Sequence, residues 1–399
     1  MASPGSLSTV AADPLEHISA AQSDVDEMKQ AFLHGQFPVD AAVLAGMLRP
    51  IPELSCRHGD SIWSFTAKVV TVQRGTEVSY FLKCVPGEIG QPQLLGEFTG
   101  MTELWKLSPE FVVKPLGWGK LADSVKDWYF LLMEFKAFSP ESTVDADTLA
   151  RRVVQLHRRS QAQSDTGGRF GFPVQTFDGA RLQSVGWDAS WVSFFSKLLA
   201  EAHRQDTEAN GAWPALEKAY RKVQSHLVPR LLGALEENGN KITPTLIHGD
   251  LWEGNVKIEA ATGEPWIFDC AAYYGHHEME LGIWRAARHA FSSNGYISRY
   301  MTVFSEQASH GSDIYPDDEA DDRVLLYSAK TNLMYSACFP KAQSRTDILN
   351  DFHYLLNKYG IGMEDREYVP VSVQSQRTET EHSATLENTH ASAAVAAGY

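Results

Sequence analysis

The chain has 399 residues, 43% of them hydrophobic, and a formal net charge of −15; there is apolar material for two or three packed units, and so acidic a balance excludes binding along a nucleic-acid backbone. The four cysteines, Cys56, Cys84, Cys270 and Cys338, fall at no paired spacing, which excludes a disulfide framework and a zinc site. No apolar run reaches bilayer length and no basic-then-hydrophobic leader opens the chain, so the expectation is a soluble, cytoplasmic protein with no membrane partner.

Residues 1–20 are small and polar and are expected to be disordered, as is the Ser/Thr/Glu/Ala-rich tail from 366 to 399. Between 21 and 47 the spacing of Val25, Met28 and Phe32, then Val43, Leu44 and Met47, predicts one or two short helices. Arg57-His58-Gly59-Asp60-Ser61 reads as a turn able to offer backbone N–H groups and the Ser61 hydroxyl to an anion. Two β-rich runs follow, Phe65–Val72 and Val78–Val85, joined at Arg74-Gly75-Thr76 as a hairpin. Lys83 stands in the second run on the face of Phe81 and Val85, and a lysine facing inward needs a partner. Glu97 borders the helical stripe of Leu94, Phe98, Met101 and Trp105 and can supply that partner. Phe111–Gly119 reads as an interrupted strand, and Trp128–Phe135 as a buried strand ending at a hinge. At that hinge the backbone of Met133, Glu134 and Phe135 could bond a nucleobase edge.

From Asp145 the period turns helical. Leu149, Val153 and Leu156 form one stripe, Trp191, Phe195, Leu198 and Ala202 a second, and Trp213, Leu216, Tyr220, Val223 and Leu227 a third, with Pro229 marking a kink or end. Gly167-Gly168-Arg169-Phe170-Gly171 follows no strand, so it is not a phosphate cradle. Met279, Ile283, Ala287 and Ala290 continue the helical pattern, and the acidic run Asp317–Asp322 reads as a solvated loop capping the next helix.

The stretch that organises the chain is Leu246-Ile247-His248-Gly249-Asp250-Leu251-Trp252-Glu253-Gly254-Asn255. An apolar run delivers a His-Gly-Asp turn, Asn255 follows Asp250 by five residues, and a hairpin built of Val256–Ala260 and Pro265–Phe268 around Thr262-Gly263 returns Asp269 beside them. Two carboxylates and an amide then converge, the set that phosphoryl transfer from a metal nucleotide needs. Asp250 would orient and deprotonate an attacking hydroxyl, Asn255 and Asp269 would hold magnesium, and Lys83 paired with Glu97 would position the phosphates of ATP, as in the catalytic apparatus of protein kinases.

The motif His248-Gly249-Asp250-Leu251-Trp252-Glu253-Gly254-Asn255-Val256, with Ile267-Phe268-Asp269 and the sequel Tyr273-Tyr274-Gly275-His276-His277-Glu278, resembles the fructosamine (ketosamine) 3-kinase family, a relation of the aminoglycoside phosphotransferases and protein kinases. Phe81-Leu82-Lys83, Gly96-Glu97-Phe98, Phe170-Gly171-Phe172 and the stretch from Asp188 to Phe195 extend the resemblance over roughly residues 50–360. It implies an α+β, two-lobed protein kinase-like fold, with a small antiparallel sheet and one helix in the N-terminal lobe, residues 21–135, and a larger, mainly helical catalytic lobe, residues 136–365. It implies phosphorylation by ATP of the sugar 3-hydroxyl of ketosamines, with glycated amines or glycated protein lysines as substrates, deglycation following. On this resemblance Trp252 flanks the sugar, and His276 and Glu278 brace the turn behind Asp269. The alternatives are an aminoglycoside or choline kinase-like enzyme and a nucleotide-binding pseudokinase scaffold. Cys270 departs from the family pattern, where proline follows the metal aspartate in many members, and Gly59-Asp60-Ser61 is less glycine-rich than their phosphate loops.

Overall fold

The computed structural model describes residues 55–59, 64–73, 75–121, 127–140, 143–239, 241–293, 295–307 and 317–362. The helices expected between 21 and 47, Ser61, and both terminal segments lie outside the described residues. Strands β1 (Ser55–Gly59), β2 (Phe65–Gln73), β3 (Thr76–Pro86), β4 (Pro115–Lys120) and β5 (Trp128–Glu134) form one antiparallel sheet in the order β1-β2-β3-β5-β4. The predicted hairpin is β2–β3, with Lys83 opposite Thr66 on one side and Leu131 on the other. Because side chains alternate across a strand, β5 serves two cores. Tyr129, Leu131 and Met133 face helix α1 (Gly87–Leu107) and the large core beyond it, while Trp128, Phe130 and Leu132 join Phe65, Val69, Leu82 and Cys84 on the opposite face.

The second lobe is mainly helical: α2 (Ala146–Gln163), α3 (Trp191–Asn210), α4 (Pro214–Lys222), α5 (Val228–Gly233), α6 (Leu281–Trp284), α7 (Tyr296–Glu306), α8 (Ala320–Cys338) and α9 (Ser344–Lys358). Capping is visible in the sequence: Asp145 accepts from the Thr148 amide at 3.0 Å and Ser190 from that of Ser193 at 3.3 Å, opening α2 and α3. Short antiparallel pairs are set among the helices: β6 (Phe177–Asp178) with β7 (Arg181–Leu182), β8 (Thr245–Ile247) with β11 (Tyr273–Gly275), and β9 (Val256–Ile258) with β10 (Pro265–Ile267). The whole is the α+β, two-lobed, protein kinase-like architecture.

Five local expectations change. Arg57–Gly59, read as part of a turn, are instead the end of β1, paired with Lys68, Ala67 and Thr66 of β2. Phe111–Val113 leave the sheet, and only Pro115–Lys120 are strand; the fully buried Val112 bridges to Ile267 of β10, tying the two lobes together. The third stripe is broken by a π-helical turn, Val223–Leu227, just before Pro229, a residue that has no N–H to continue an α-helical ladder. The pattern after Asp269 yields a 3₁₀ turn, His277–Glu280, and a single turn of α6, because the Trp284 indole is held to the Leu251 carbonyl at 2.7 Å and packing overrides a weak period. In the acidic run Asp322 is not solvated: it is buried, receiving Lys358 Nζ and the Tyr359 hydroxyl, each at 2.7 Å from Oδ2.

Candidate active site

The site is built from three directions. β8 delivers His248-Gly249-Asp250; the β9–β10 hairpin, in register Val256 to Ile267, returns Asp269; and β3 with α1 supplies Lys83 and Glu97 from above. Gly249 has φ +79°, and a Cβ there would stand 2.4 Å from the Ala271 carbonyl oxygen. Only glycine fits, on both conformational and steric grounds. Gly249→Ala is therefore expected to destabilise the fold by about 1–3 kcal/mol and lower turnover together, measured by denaturant unfolding and initial rates. Asp269 itself adopts φ 61°, a left-handed conformation that short polar residues tolerate and that is often found at functional positions.

Lys83 Nζ lies 2.7 Å from Glu97 Oε2 and 2.6 Å from Asp269 Oδ1, and the lysine is 9% exposed. Burial works against its charge, but Asp269 and Glu97 outweigh it and raise the ammonium's pKa, so it stays protonated. The two carboxylates compete for one cation. Burial pushes Asp269 up, yet Lys83 holds it below its ordinary value, whereas burial and the Asp269 charge raise Glu97 against the pull of Lys83. Close approach of α1 to this segment depends on Gly100, where a Cβ would stand 2.6 Å from the Cys270 sulfur. Cys270 is buried under α1 with its thiol directed at the Glu97 carbonyl, and burial pushes its pKa well up, which suppresses the reactive thiolate.

Asn255 joins the two aspartates. Its Nδ2 donates to the Asp250 carbonyl at 2.8 Å, to Asp250 Oδ2 at 3.0 Å and to the Asp269 carbonyl at 3.2 Å. All three partners are acceptors, which fixes the orientation of the amide and turns Oδ1 away from them. His248 is fixed in the same way. Its Nδ1 accepts the Asp250 amide at 3.3 Å, so Nε2 carries the proton and donates to the Phe268 carbonyl at 3.0 Å. Burial lowers its pKa, consistent with a neutral ring that acts as a brace rather than a proton carrier.

Sequence reasoning did not assign Glu280. Its two carboxylate oxygens accept the amides of His248, at 2.6 Å, and Gly249, at 2.9 Å, and so clamp the start of the His248–Asp250 turn. A carboxylate in an apolar neighbourhood was the available signal, but its partners lie more than 30 positions away along the chain. Glu278, two residues earlier, pairs with Arg323 through two 2.7 Å bonds, and His276 Nδ1 meets the Tyr327 hydroxyl at 3.0 Å, so both brace this segment against α8. Trp252 lies half-buried beside His289, ring centroids 5.2 Å apart. At the hinge, Met133 is buried and paired with Phe81 and Pro115, and the Glu134 amide donates to the Lys114 carbonyl at 2.9 Å.

Asp250 is half-buried; burial, then the charges of Asp178 and Asp269, raise its pKa well above the ordinary carboxylate value. The chemistry available is a proton acceptor beside oxygen ligands for a hard cation, with an ammonium above them. Among the described residues no helix is long and apolar enough to cross a membrane.

Comparison with known proteins agrees with this geometry. Protein-ribulosamine 3-kinase of Oryza sativa subsp. japonica is 33% identical over 254 residues, 63% of this chain and 66% of that protein, so the match spans just under two thirds of the relative's length. Ketosamine-3-kinase of Mus musculus is 30% identical over 234 residues, 52% of this chain and 69% of the mouse protein. A Thermobifida fusca protein provisionally called fructosamine-3-kinase has the same fold, with a TM-score of 0.60 at 20% identity, over 80% of this chain and 99% of that structure. The profile of the fructosamine kinase family matches residues 61–341. The chain belongs to the fructosamine kinase family.

Proposed function

We propose that this protein is an ATP-dependent kinase that phosphorylates the 3-hydroxyl of ketosamines, on glycated amines or glycated protein lysines, with Asp250 as the base. The observation that carries the reading is the chain of bonds from Glu97 through Lys83 to Asp269, and from Asp269 through Asn255 to Asp250, which joins phosphate, metal and base positions in one network. The names of the rice and mouse relatives support a ribulosamine or ketosamine acceptor. The nucleotide is read as lying between a unit ending near residue 135 and the helical unit of residues 136–365. Action in the cytoplasm fits the free thiols of Cys270 and Cys338.

Asp250 Oδ2 is engaged by Asn255, which leaves Oδ1 to receive the attacking hydroxyl and accept its proton. Lys83, kept charged and aimed by Glu97, holds nucleotide phosphate oxygens. At the hinge the Glu134 amide is already committed, so an adenine edge falls to the Glu134 carbonyl and Phe135, with Met133 behind them. Asn255 Oδ1 and the Asp269 oxygen not bonded to Lys83 are hard donors of the type magnesium takes, and they would hold it. When bound, such an ion would supply charge neutralisation for the phosphoryl group in transfer. Trp252 offers a flat apolar face to the sugar.

Because Asp250 must be ionised to accept a proton and its pKa is raised, kcat/KM is expected to climb with pH through an acid limb well above the ordinary carboxylate value near 4. A limb at or below that value would contradict the assignment. The function itself is tested by offering ATP and magnesium with fructosyl-lysine, ribulosyl-lysine, an aminoglycoside and choline, following ADP release and recovery of free amine. Turnover confined to choline or the aminoglycoside overturns the reading.

A further inference from the structure

Three charged side chains interact electrostatically with Asp250, and none has a part in the steps above. Asp178 comes from the β6–β7 hairpin, Lys330 from the middle of α8, and Arg288 from the segment after α6. Lys330 is only 1% exposed; its Nζ donates to Asp178 Oδ2 at 2.9 Å and to Gln183 Oε1 at 2.6 Å. With Oε1 so engaged, Gln183 Nε2 donates to the Ala271 carbonyl at 3.0 Å and to Thr176 Oγ1 at 3.2 Å, and the Ala271 amide in turn donates to the His248 carbonyl at 2.9 Å. A continuous chain of hydrogen bonds thus fixes Asp178 relative to the catalytic turn. A buried ion pair is weak evidence for stability, since apolar residues of similar volume often serve as well. Here it does something apolar residues could not do: it holds a carboxylate rigidly while the Asp178 side chain keeps 18% exposure and unused acceptor positions.

Arg288 stands on the same side. Its guanidinium lies 4.0 Å from the Tyr335 ring centroid, Nη1 donates to Asn332, and its buried Nε has no acceptor among the described residues. Asp178 and Arg288 are both within electrostatic reach of Asp250, and of His289 beside Trp252. Two carboxylates, Asp178 and Asp250, face two cations, Lys330 and Arg288, so the group as a whole favours neither a cationic nor an anionic ligand. Fixed acceptors and donors of both charges in one group suit a polyol, whose hydroxyls each donate and accept.

We propose that Asp178, held by Lys330, and Arg288 bind the sugar hydroxyl next to the one that is phosphorylated, and so determine which acceptor sugars react. This deepens the ketosamine reading and rests on it. A site built to hydrogen-bond a hydroxyl rejects the analogue that lacks it, because its own polar groups are left unpaired.

The test is a cycle between enzyme and substrate: wild type and Asp178→Asn, each with a fructosamine and with its 4-deoxy and 6-deoxy analogues. Wild type is expected to lose about 10- to 100-fold in kcat/KM on the 4-deoxy compound and little on the 6-deoxy compound. Asp178→Asn is expected to lose a similar factor on the parent, with KM for ATP unchanged, and to show almost no further loss on the 4-deoxy analogue. Because the single variant strands Lys330, Asp178→Asn/Lys330→Met is run beside it and should give the same pattern. Equal losses for the variants on parent and 4-deoxy substrates, or a parallel rise in KM for ATP, overturn the proposal alone. A wild-type enzyme inactive on every ketosamine overturns the functional reading and this proposal with it.

Discussion

Replacing Asp250 by asparagine is expected to lower kcat by about 10²- to 10⁴-fold, the usual contribution of a positioned general base, while the dissociation constant for ATP stays within about twofold. The substitution is nearly isosteric. An asparagine can present its carbonyl oxygen to Asn255 Nδ2, and the bond from Nδ2 to the residue-250 carbonyl does not involve the side chain at all. Lys83, Glu97 and Asp269 keep their mutual bonds, so the half proposed to bind the nucleotide is untouched. What disappears is the ability to accept a proton from the attacking hydroxyl. Single-turnover rates with saturating ATP read the chemical step directly, and a loss of less than tenfold there would remove Asp250 from the role of base.

Arg323→Met should be the most damaging substitution outside the catalytic groups, at about 3–5 kcal/mol of unfolding free energy. Arg323 is 0% and Glu278 1% exposed, and two bonds of 2.7 Å make the guanidinium a direct counter-charge to the Glu278 carboxylate. Removing the arginine alone takes the direct counter-charge from a carboxylate buried in the core. Changing both, as Glu278→Gln/Arg323→Met, is expected to recover more than half of the loss, since the deficit comes chiefly from the unpaired charge. Glu280, two residues on, clamps the His248 and Gly249 amides, so the stabilities should be measured alongside kcat, which is expected to fall with the single variant and return in the double. Similar stability of the single variant and wild type in urea unfolding would show that the pair does not hold this segment.

Much of the site was legible because its signals are local. Asp250 and Asn255 lie within one turn, the Thr262-Gly263 turn announces the hairpin that carries Asp269, and Lys83 stands out as a cation in an apolar strand. Glu97 was found by helical period and by the need of Lys83 for a partner, a need the structure meets at 2.7 Å. Glu280, Asp178, Lys330 and Arg288 were not found. Each is an ordinary charged residue in its own sequence neighbourhood, and its meaning comes from a partner far along the chain: Lys330 is separated from Asp178 by 152 positions. Asp322 shows the same limit, reading as part of a solvated acidic run until α9 folds over it.

The sequence by itself determined the main elements and the groups proposed for the chemistry, because strand alternation, turn glycines and short fixed spacings are consequences of backbone geometry that need no distant partner; the family and the two-lobed fold were read from the resemblance carried by the His248–Val256 and Ile267–Glu278 motifs. Only the tertiary structure decided how those groups are held: that Lys83 is shared between Glu97 and Asp269, that Asn255 presents its amide to both aspartates, that Glu280 clamps the turn, and that Lys330 holds Asp178. The reason is physical. A buried charge is tolerated only where folding brings it a partner, and the identity of that partner depends on packing between elements that no single stretch of sequence contains.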